Sequence, residues 1–402
     1  LDPDSIIGAR VAECGFDVLD RDDGLWPEGP DGFYDSGVSP YNAYLKDKGY
    51  ESDNPWLDHA NAGVTDGGEI ASGWFMQHAD KPANIREEDS ETVFLTTRCM
   101  EFIDRHNQPD SKPWLCHLSY IKPHWPYIVP EPYASMYDPA KVTVPEMADN
   151  EFDDMPPHFA MTQDPDADWD SYHTDEGSNA LHGAGCHLSS REVKAKNIAT
   201  MYGMMTMLDK YVGVILDKLE ELGLLEDTLV VFTTDHGDFL GHHGLNAKAI
   251  HHYEDLVKVP LIVSMPGVVP QNKFSDSLQS TVDLAPTMLA FAGLPVPRYM
   301  TGLNEKPVWS GEKATIRDHV IVENRHNPTT MFHKTYIDKR YKLTVYYQGN
   351  YGELFDLQED PQEINNLWND PDSALLKGEL MLKMVKADMG IEPVPMPRVW
   401  GA

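Results

Sequence analysis

Residues 233–248 read TTDHGDFLGHHGLNAK, which crowds Asp235, His236, Asp238, His242, His243 and Lys248 into one turn-forming stretch behind the apolar run TLVVFTT. A turn needs Gly and one Asp; it does not need several imidazoles and a lysine. An Asp followed by a His offers one hard oxygen and one imidazole nitrogen, a pair suited to a divalent cation such as Ca2+, Mn2+ or Zn2+. Gly237 lets the backbone turn sharply beneath them. Taken alone, D-H-G reads equally as an Asp-capped turn carrying a surface His. A further histidine, His124, stands in KPHWPYIVPEPY, just after the apolar PWLCHLSY. In so proline-rich a turn it is either an anion-binding group or a structural histidine.

These groups need elements to hold them. From Glu192 to about Leu222 apolar residues recur at helical spacing (Ile198, Met201, Tyr202, Met205, Leu208, Val212, Ile215, Leu216, Leu219), and Gly223 closes the run. The methionines read as core filler. Residues 90–106 carry a second amphipathic pattern, through Val93, Phe94, Cys99, Met100 and Ile103. TLVVFTT and VPLIVSMPG (259–267) read as buried strands, and PWLCHLSY (113–120) as a short one. VDLAPTMLAFAGL (282–294) reads as a helix with Pro286 in its first turn. Alternating strands and helices imply an α/β fold around an open, mostly parallel sheet covered on both faces. After about residue 318, HVIVENR, KTYIDKRYKLTVYY and GELFDL read as a small antiparallel β subdomain. The expected organisation is a main α/β domain over 1–315, with a long loop insertion at 131–190, and a β-rich subdomain over 316–402. In open α/β sheets ligands bind beyond the carboxyl ends of strands, where Asp235, His236, Lys248 and His124 all fall.

Other stretches are less informative. The first 90 residues are rich in Asp, Gly and Pro and read as long surface loops. DPDADWD (164–170) looks like the start of a calcium loop, but Trp169 stands where Gly is required and Asp175 where Glu is usual, so it reads as a solvated acidic loop. With 32 basic residues against 65 acidic ones the net charge is −33, a field that repels nucleic acid and anionic membrane surfaces and suits a salt-rich setting. An anionic substrate then needs a local positive spot, such as a metal ion. Cys14, Cys99, Cys116 and Cys186 form no C-x-x-C or zinc pattern and read as free thiols, Cys116 as a core residue. No segment approaches the length of a transmembrane helix. LDPDSIIGAR has no basic region and no long apolar run, so it does not read as a signal peptide. The compartment stays open between bacterial cytoplasm and periplasm.

The longer string D-H-G-D-F-L-G-H-H-G-L-N-A-K, followed by H-H-Y-E-D and V-P-L-I-V, closely resembles the signature of the sulfatase branch of the alkaline phosphatase superfamily. The helix and strand before it, VDLAPTMLAFAGL after it, and YKL with GELFDLQEDPQEINNL extend the resemblance over most of residues 192–370. SYIKPHWPYIVPEPY and YNAYLKDKGY look like the phosphonate monoester hydrolase and phosphodiesterase members of the same group.

This resemblance implies a three-layer α/β sandwich and a metal-dependent hydrolase of small sulfate esters working by covalent catalysis. The alternative within the fold is a phosphonate monoester or phosphodiester hydrolase. The alternative from another class is a catalytically inactive fragment that binds an anion or a partner. Carried over by position, Asp235 and His236 match the metal pair, with Ca2+ or Mn2+ as the expected ion. Lys248 matches the lysine on the sulfate or phosphate oxygens, and His124 the histidine that binds the substrate anion or helps the leaving group. His243 and Glu254 match motif positions that support the ligands. His242, His251 and His252 are expected to be loop residues. Nucleic acid and membrane partners are not expected, and a homo-oligomer is left open.

The resemblance also implies a nucleophile near the N-terminus, a Cys or Ser in C/S-x-P-x-R oxidised to formylglycine. None of the four cysteines stands in that motif. Nor is the family's first strand with its Asp-Asp ligands visible, since Asp22-Asp23 follows no apolar strand. The expectation is that the chain begins after the nucleophile. Truncation is preferred over a split or a decayed protein, because D-H-G, the lysine and the PHWP histidine are all kept.

Overall fold

The computed structural model describes residues 16–17, 19–20, 39–168, 186–327, 331–347 and 349–391. In chain order the helices are α1 (Pro40–Asp47), α2 (Glu91–His106), α3 (Pro157–Met161), α4 (Arg191–Glu221), α5 (Glu254–Val257), α6 (Leu284–Phe291), α7 (Lys306–Trp309) and α8 (Ala374–Ile391). The strands are β1 (Ala62–Val64), β2 (Ile70–Ser72), β3 (Val230–Thr233), β4 (Leu261–Ser264), β5 (His319–Asn327), β6 (Met331–Asp338), β7 (Tyr341–Tyr346) and β8 (Gly352–Asp356). The chain divides into two compact units, residues 1–144 with 189–224, and 145–188 with 225–402. Among the described residues no helix is long and apolar enough to cross a membrane.

In the first unit α2 lies against α4. The expected apolar stripe of α2 is buried at Phe94, Cys99 and Ile103, and that of α4 at Ile198, Met201, Leu208 and Leu219, while Met204 and Met207, outside that stripe, are buried too. Tyr202 and Met205 of the same stripe are exposed instead. Lys218 Nζ to Asp104 Oδ1, 2.7 Å, joins the two helices. Residues 39–90 are not only loop. Ser39 caps α1 by accepting from Asn42 N, β1 and β2 form an antiparallel hairpin, and Tyr41, Leu45 and Trp56 join Phe94, Leu95 and Ile128 in one apolar core. Residues 113–120 carry no assigned strand. They still alternate half-buried (Trp114, Cys116, Leu118, Tyr120) with exposed (Leu115, His117, Ser119) positions, the signature of an extended chain with one face covered.

In the second unit β3 and β4 meet the two strand expectations, but they pair antiparallel, Val230 opposite Ser264 and Thr233 opposite Leu261. Every assigned ladder among the described residues is antiparallel. The parallel direction inferred from strand–helix alternation is therefore not realised by this pair. A parallel return needs a crossover of a dozen or more residues, usually helical, and the one helix between β3 and β4 is the single turn α5.

The C-terminal region forms the expected antiparallel sheet, in the order β5-β6-β7-β8. One face (Tyr336, Leu343, Leu354) is covered by Leu380, Met384 and Ala387 of α8. The period of two puts Thr335, Lys342, Thr344, Tyr346, Glu353 and Phe355 on the other face, all buried. Phe355 there joins Phe152, Met155, Phe159, Phe239, Leu245, Tyr253 and Leu256 in a second apolar core. Three of these come from the 131–190 stretch expected to be a long loop, as does Cys186 of the same core, so that stretch supplies part of the core. Trp169 and Asp175, on which the calcium-loop reading turned, lie outside the described residues, as do Cys14, Asp22 and Asp23.

Candidate active site

β3 ends at Thr233 and, after Thr234, Asp235 and His236 stand as the expected metal pair. His236 Nδ1 donates to the Gly237 carbonyl at 2.7 Å. That bond fixes the tautomer and leaves the lone pair on Nε2. Nε2 lies 3.1 Å from Lys248 Nζ and 3.7 Å from Asp235 Oδ2. The Asp235 carboxylate is exposed, at 82% for its side chain, while its Oδ1 accepts from His236 N at 3.1 Å. The fold thus brings Asp235, His236 and Lys248 together at one point.

Close packing below holds this loop. Gly237 N donates to Leu256 O at 2.8 Å. A Cβ on Gly237 would lie 1.8 Å from the Asp255 carbonyl oxygen, so only glycine fits there. Asp238 Oδ1 accepts from Leu240 N at 3.0 Å, and Phe239 and Leu245 are fully buried anchors. Leu240, Gly241, His243, Gly244 and Ala247 all adopt positive φ, so the loop is tightly coiled. A left-handed non-glycine residue costs about 1–2 kcal/mol.

At His243 that cost is offset by its side chain. Nδ1 lies 2.5 Å from Glu151 Oε1 and Nε2 3.4 Å from Asp255 Oδ2. The ring stacks on Tyr253 with centroids 3.6 Å apart and planes 1° from parallel. Burial alone would lower its pKa, but Asp255 and Glu151 outweigh that and raise it to about 9. His243 is therefore an imidazolium at neutral pH, clamped between two carboxylates.

Glu254 is held from the C-terminal sheet. Its Oε1 lies 3.2 Å from Lys342 Nζ, and its backbone N donates to Glu363 Oε2 at 2.7 Å. Lys342 pairs with Glu363 Oε1 at 2.6 Å, and both side chains are buried. Sequence reasoning missed Glu151, Asp255, Lys342 and Glu363. Asp255 alone had a local signal, the H-H-Y-E-D string.

His251 and His252 lie in a loop, as expected, but both are buried. His252 Nδ1 bonds Thr335 Oγ1 at 2.8 Å, and His251 stacks on His158 at 5.2 Å. Side chains from β6 and α3 enclose them, and the local sequence carries no sign of either. His242 does stay on the surface, 3.6 Å from Asp255 Oδ1.

His124 belongs to the first unit. Its Nδ1 donates to its neighbour's carbonyl, Trp125 O. Beside it, half-buried Lys122 donates to Asn61 Oδ1 and Pro126 O, both at 2.8 Å, and so braces the turn. Burial pulls the Lys122 ammonium down to about 8, with Glu91 working against it.

Residues 39–294 match the sulfatase family, and residues 241–389 match N-sulphoglucosamine sulphohydrolase, C-terminal. The chain belongs to the sulfatase family, within the alkaline phosphatase superfamily. It is 27% identical over 374 residues to the multifunctional alkaline phosphatase superfamily protein PehA of Trinickia caryophylli, covering 86% of this chain and 67% of that one. To an arylsulfatase of Clostridium perfringens it is 26% identical over 312 residues, covering 77% of this chain and 59% of the relative. The phosphonate monoester hydrolase SpPMH from Silicibacter pomeroyi superposes with a TM-score of 0.73 at 24% identity, covering 92% of this chain and 75% of that one. The fold is the expected alkaline phosphatase-like α/β class, with its C-terminal antiparallel sheet.

Sulfatases use a divalent metal ion. The donor set here fits one: an exposed carboxylate beside an imidazole whose ring is anchored through Nδ1 on a carbonyl, with Nε2 turned to Asp235 and Lys248. Among the described residues no group of three or more His, Cys, Asp or Glu side chains is arranged to hold a metal. Asp235 and His236 by themselves offer two donor side chains, fewer than such a group.

Proposed function

We propose that this chain forms most of a metal-dependent hydrolase of sulfate esters, with Asp235 and His236 as ligands of the cation and Lys248 and His124 as donors to the ester's anionic oxygens. The observation that carries this reading is the meeting of Asp235, His236 Nε2 and Lys248 just past the end of β3, in a chain of the sulfatase family. When bound, a divalent cation polarises the ester oxygens and offsets local negative charge. Lys248 supplies a donor of fixed charge in a molecule whose net charge of −33 otherwise repels anions. Removing one such donor typically costs 10²–10³ in rate. None of the Cys or Ser residues here is followed by x-Pro-x-Arg, so no residue of this chain is assigned as the nucleophile.

A second reading, a phosphonate monoester or phosphodiester hydrolase, has its own support. The likeness to SpPMH runs over 92% of the chain, and the KPHWPY segment carries the same resemblance. The two readings separate on one plate. An aryl sulfate and an aryl phosphonate monoester are offered with Ca2+ or Mn2+, to this chain and to a form extended upstream through a Cys-x-Pro-x-Arg segment. Turnover of the sulfate by the extended form alone is the expected result. Preference for the phosphonate moves the assignment to the second reading. Metal binding without turnover in either form overturns the enzyme in favour of an anion-binding fragment.

A further inference from the structure

We infer that Cys99 and Cys116 form a redox-active dithiol that closes to an intrachain disulfide by exchange with a low-molecular-weight disulfide. The inference lies beyond the hydrolase reading and stands independently of it. Cys99 sits on the buried face of α2 and Cys116 on the covered face of the extended segment 113–120, both in the first unit. Their sulfurs are 3.9 Å apart, both as free thiols.

Contacts on either side lock that register. On one side Trp114 meets Phe102 edge-on, with centroids 5.6 Å apart at 89°. On the other the Tyr120 hydroxyl bonds Thr96 Oγ1 at 2.7 Å. Phe102, Cys99 and Thr96 lie at successive spacings of three along one helix face, and Trp114, Cys116 and Tyr120 on one face of the extended chain. The thiols therefore face each other because their neighbours do. A disulfide is about 2.05 Å long, so closure asks for roughly 2 Å of approach between the sulfurs.

The two thiols are not equivalent. Cys116 is half-buried and Cys99 buried, so an oxidant meets Cys116 first. The hydrogen bond with Cys99 draws the Cys116 thiol down, against burial, and the same contact together with burial pushes Cys99 up. Cys116 as thiolate attacks one sulfur of the oxidant, forming a mixed disulfide and releasing one thiolate. Cys99 then loses its proton and attacks Cys116 Sγ, expelling the second thiolate. The protein is oxidised by two electrons, the oxidant is reduced to two thiols, and atoms balance. The bond joins cysteines 17 positions apart and staples to α2 the arm that runs on to Lys122 and His124.

The test uses the full chain in glutathione buffers of rising disulfide-to-thiol ratio, quenched by alkylation and mapped by mass spectrometry. The expected result is a Cys99–Cys116 cross-linked peptide that accumulates with oxidation. It is abolished by Cys99→Ser and by Cys116→Ser, and kept in Cys186→Ala. The oxidised chain should melt on the order of 5–10 °C above the reduced one. Single-cysteine glutathione adducts without a cross-link at the most oxidising ratio would overturn the pair. So would a cross-linked form that melts below the reduced chain, because a bond between side chains that already face each other should not destabilise the fold.

Discussion

His236 shows how much a single hydrogen bond decides. Its Nδ1 is committed to the Gly237 carbonyl, so Nε2 faces Asp235 and Lys248 as a base. If the pair holds a cation, Asp235→Asn or His236→Ala should cut divalent metal retained after dialysis at least tenfold. Elemental analysis measures this, and an unchanged circular dichroism spectrum separates it from misfolding. Lys248→Ala should keep the metal yet lower kcat/KM about 10²–10³-fold in the upstream-extended enzyme. Metal loss in that variant would instead make Lys248 a structural neighbour of His236.

Among the elements, the D-H-G loop is held from three sides: by α5 through Gly237, by Glu151 through His243, and by β7 through Lys342 and Glu254. Gly237→Ala drives a Cβ into the Asp255 carbonyl and should weaken metal retention without touching a ligand. Lys342→Met strands the buried Glu363 and should destabilise the second unit by about 3–5 kcal/mol in urea unfolding. Adding Glu363→Gln should restore much of that, since a lone buried charge, rather than the missing pair, carries the penalty. A double variant no more stable than the single one would contradict this. His243 gives a pH window. Its folded pKa of about 9 lies above the usual 6.5, so its stabilisation is complete below 6.5 and is lost as pH rises through 9. His243→Gln should flatten the alkaline limb of a melting-midpoint profile.

At the scale of the whole molecule, acid should unfold this protein early. His251, His252 and His333 lie buried together behind the C-terminal sheet, with His158, Tyr346 and Glu353 around them. Burial, then neighbouring histidines, lowers His251 to about 3; burial lowers His333 to about 4 and His252 in the same direction. Unfolded histidines titrate near 6.5, so below that pH the unfolded chain binds more protons and stability falls as pH falls. Burial raises Glu353 to about 7, which opposes one of those three protons between its ordinary value and 7. Unfolding near pH 5.5 should therefore take up about two protons from this cluster. Urea unfolding between pH 7 and 5 measures that slope, and His251→Gln with His333→Gln should reduce it. An unchanged slope would place the acid sensitivity elsewhere, among the 65 carboxylates.

The sequence by itself determined what depends on neighbours along the chain. The D-H-G loop with Lys248 is legible because its groups fall within one short loop. α2, α4 and the C-terminal strands are legible because a helix or strand with one buried face prints its period on the sequence. α8 escaped because the apolar Leu375, Leu382 and Met389 stand exposed on it and blur its stripe. Only the tertiary structure decided the rest: the antiparallel return of β4, the burial of His251 and His252, the clamp of Glu151 on His243, the lysine behind Glu254, and the facing of Cys99 and Cys116. The His243 and Lys342 pairs join residues 92 and 88 positions apart. Such contacts follow from how whole faces pack, and a charged or imidazole side chain has the same local sequence whether it ends in water or against a buried partner.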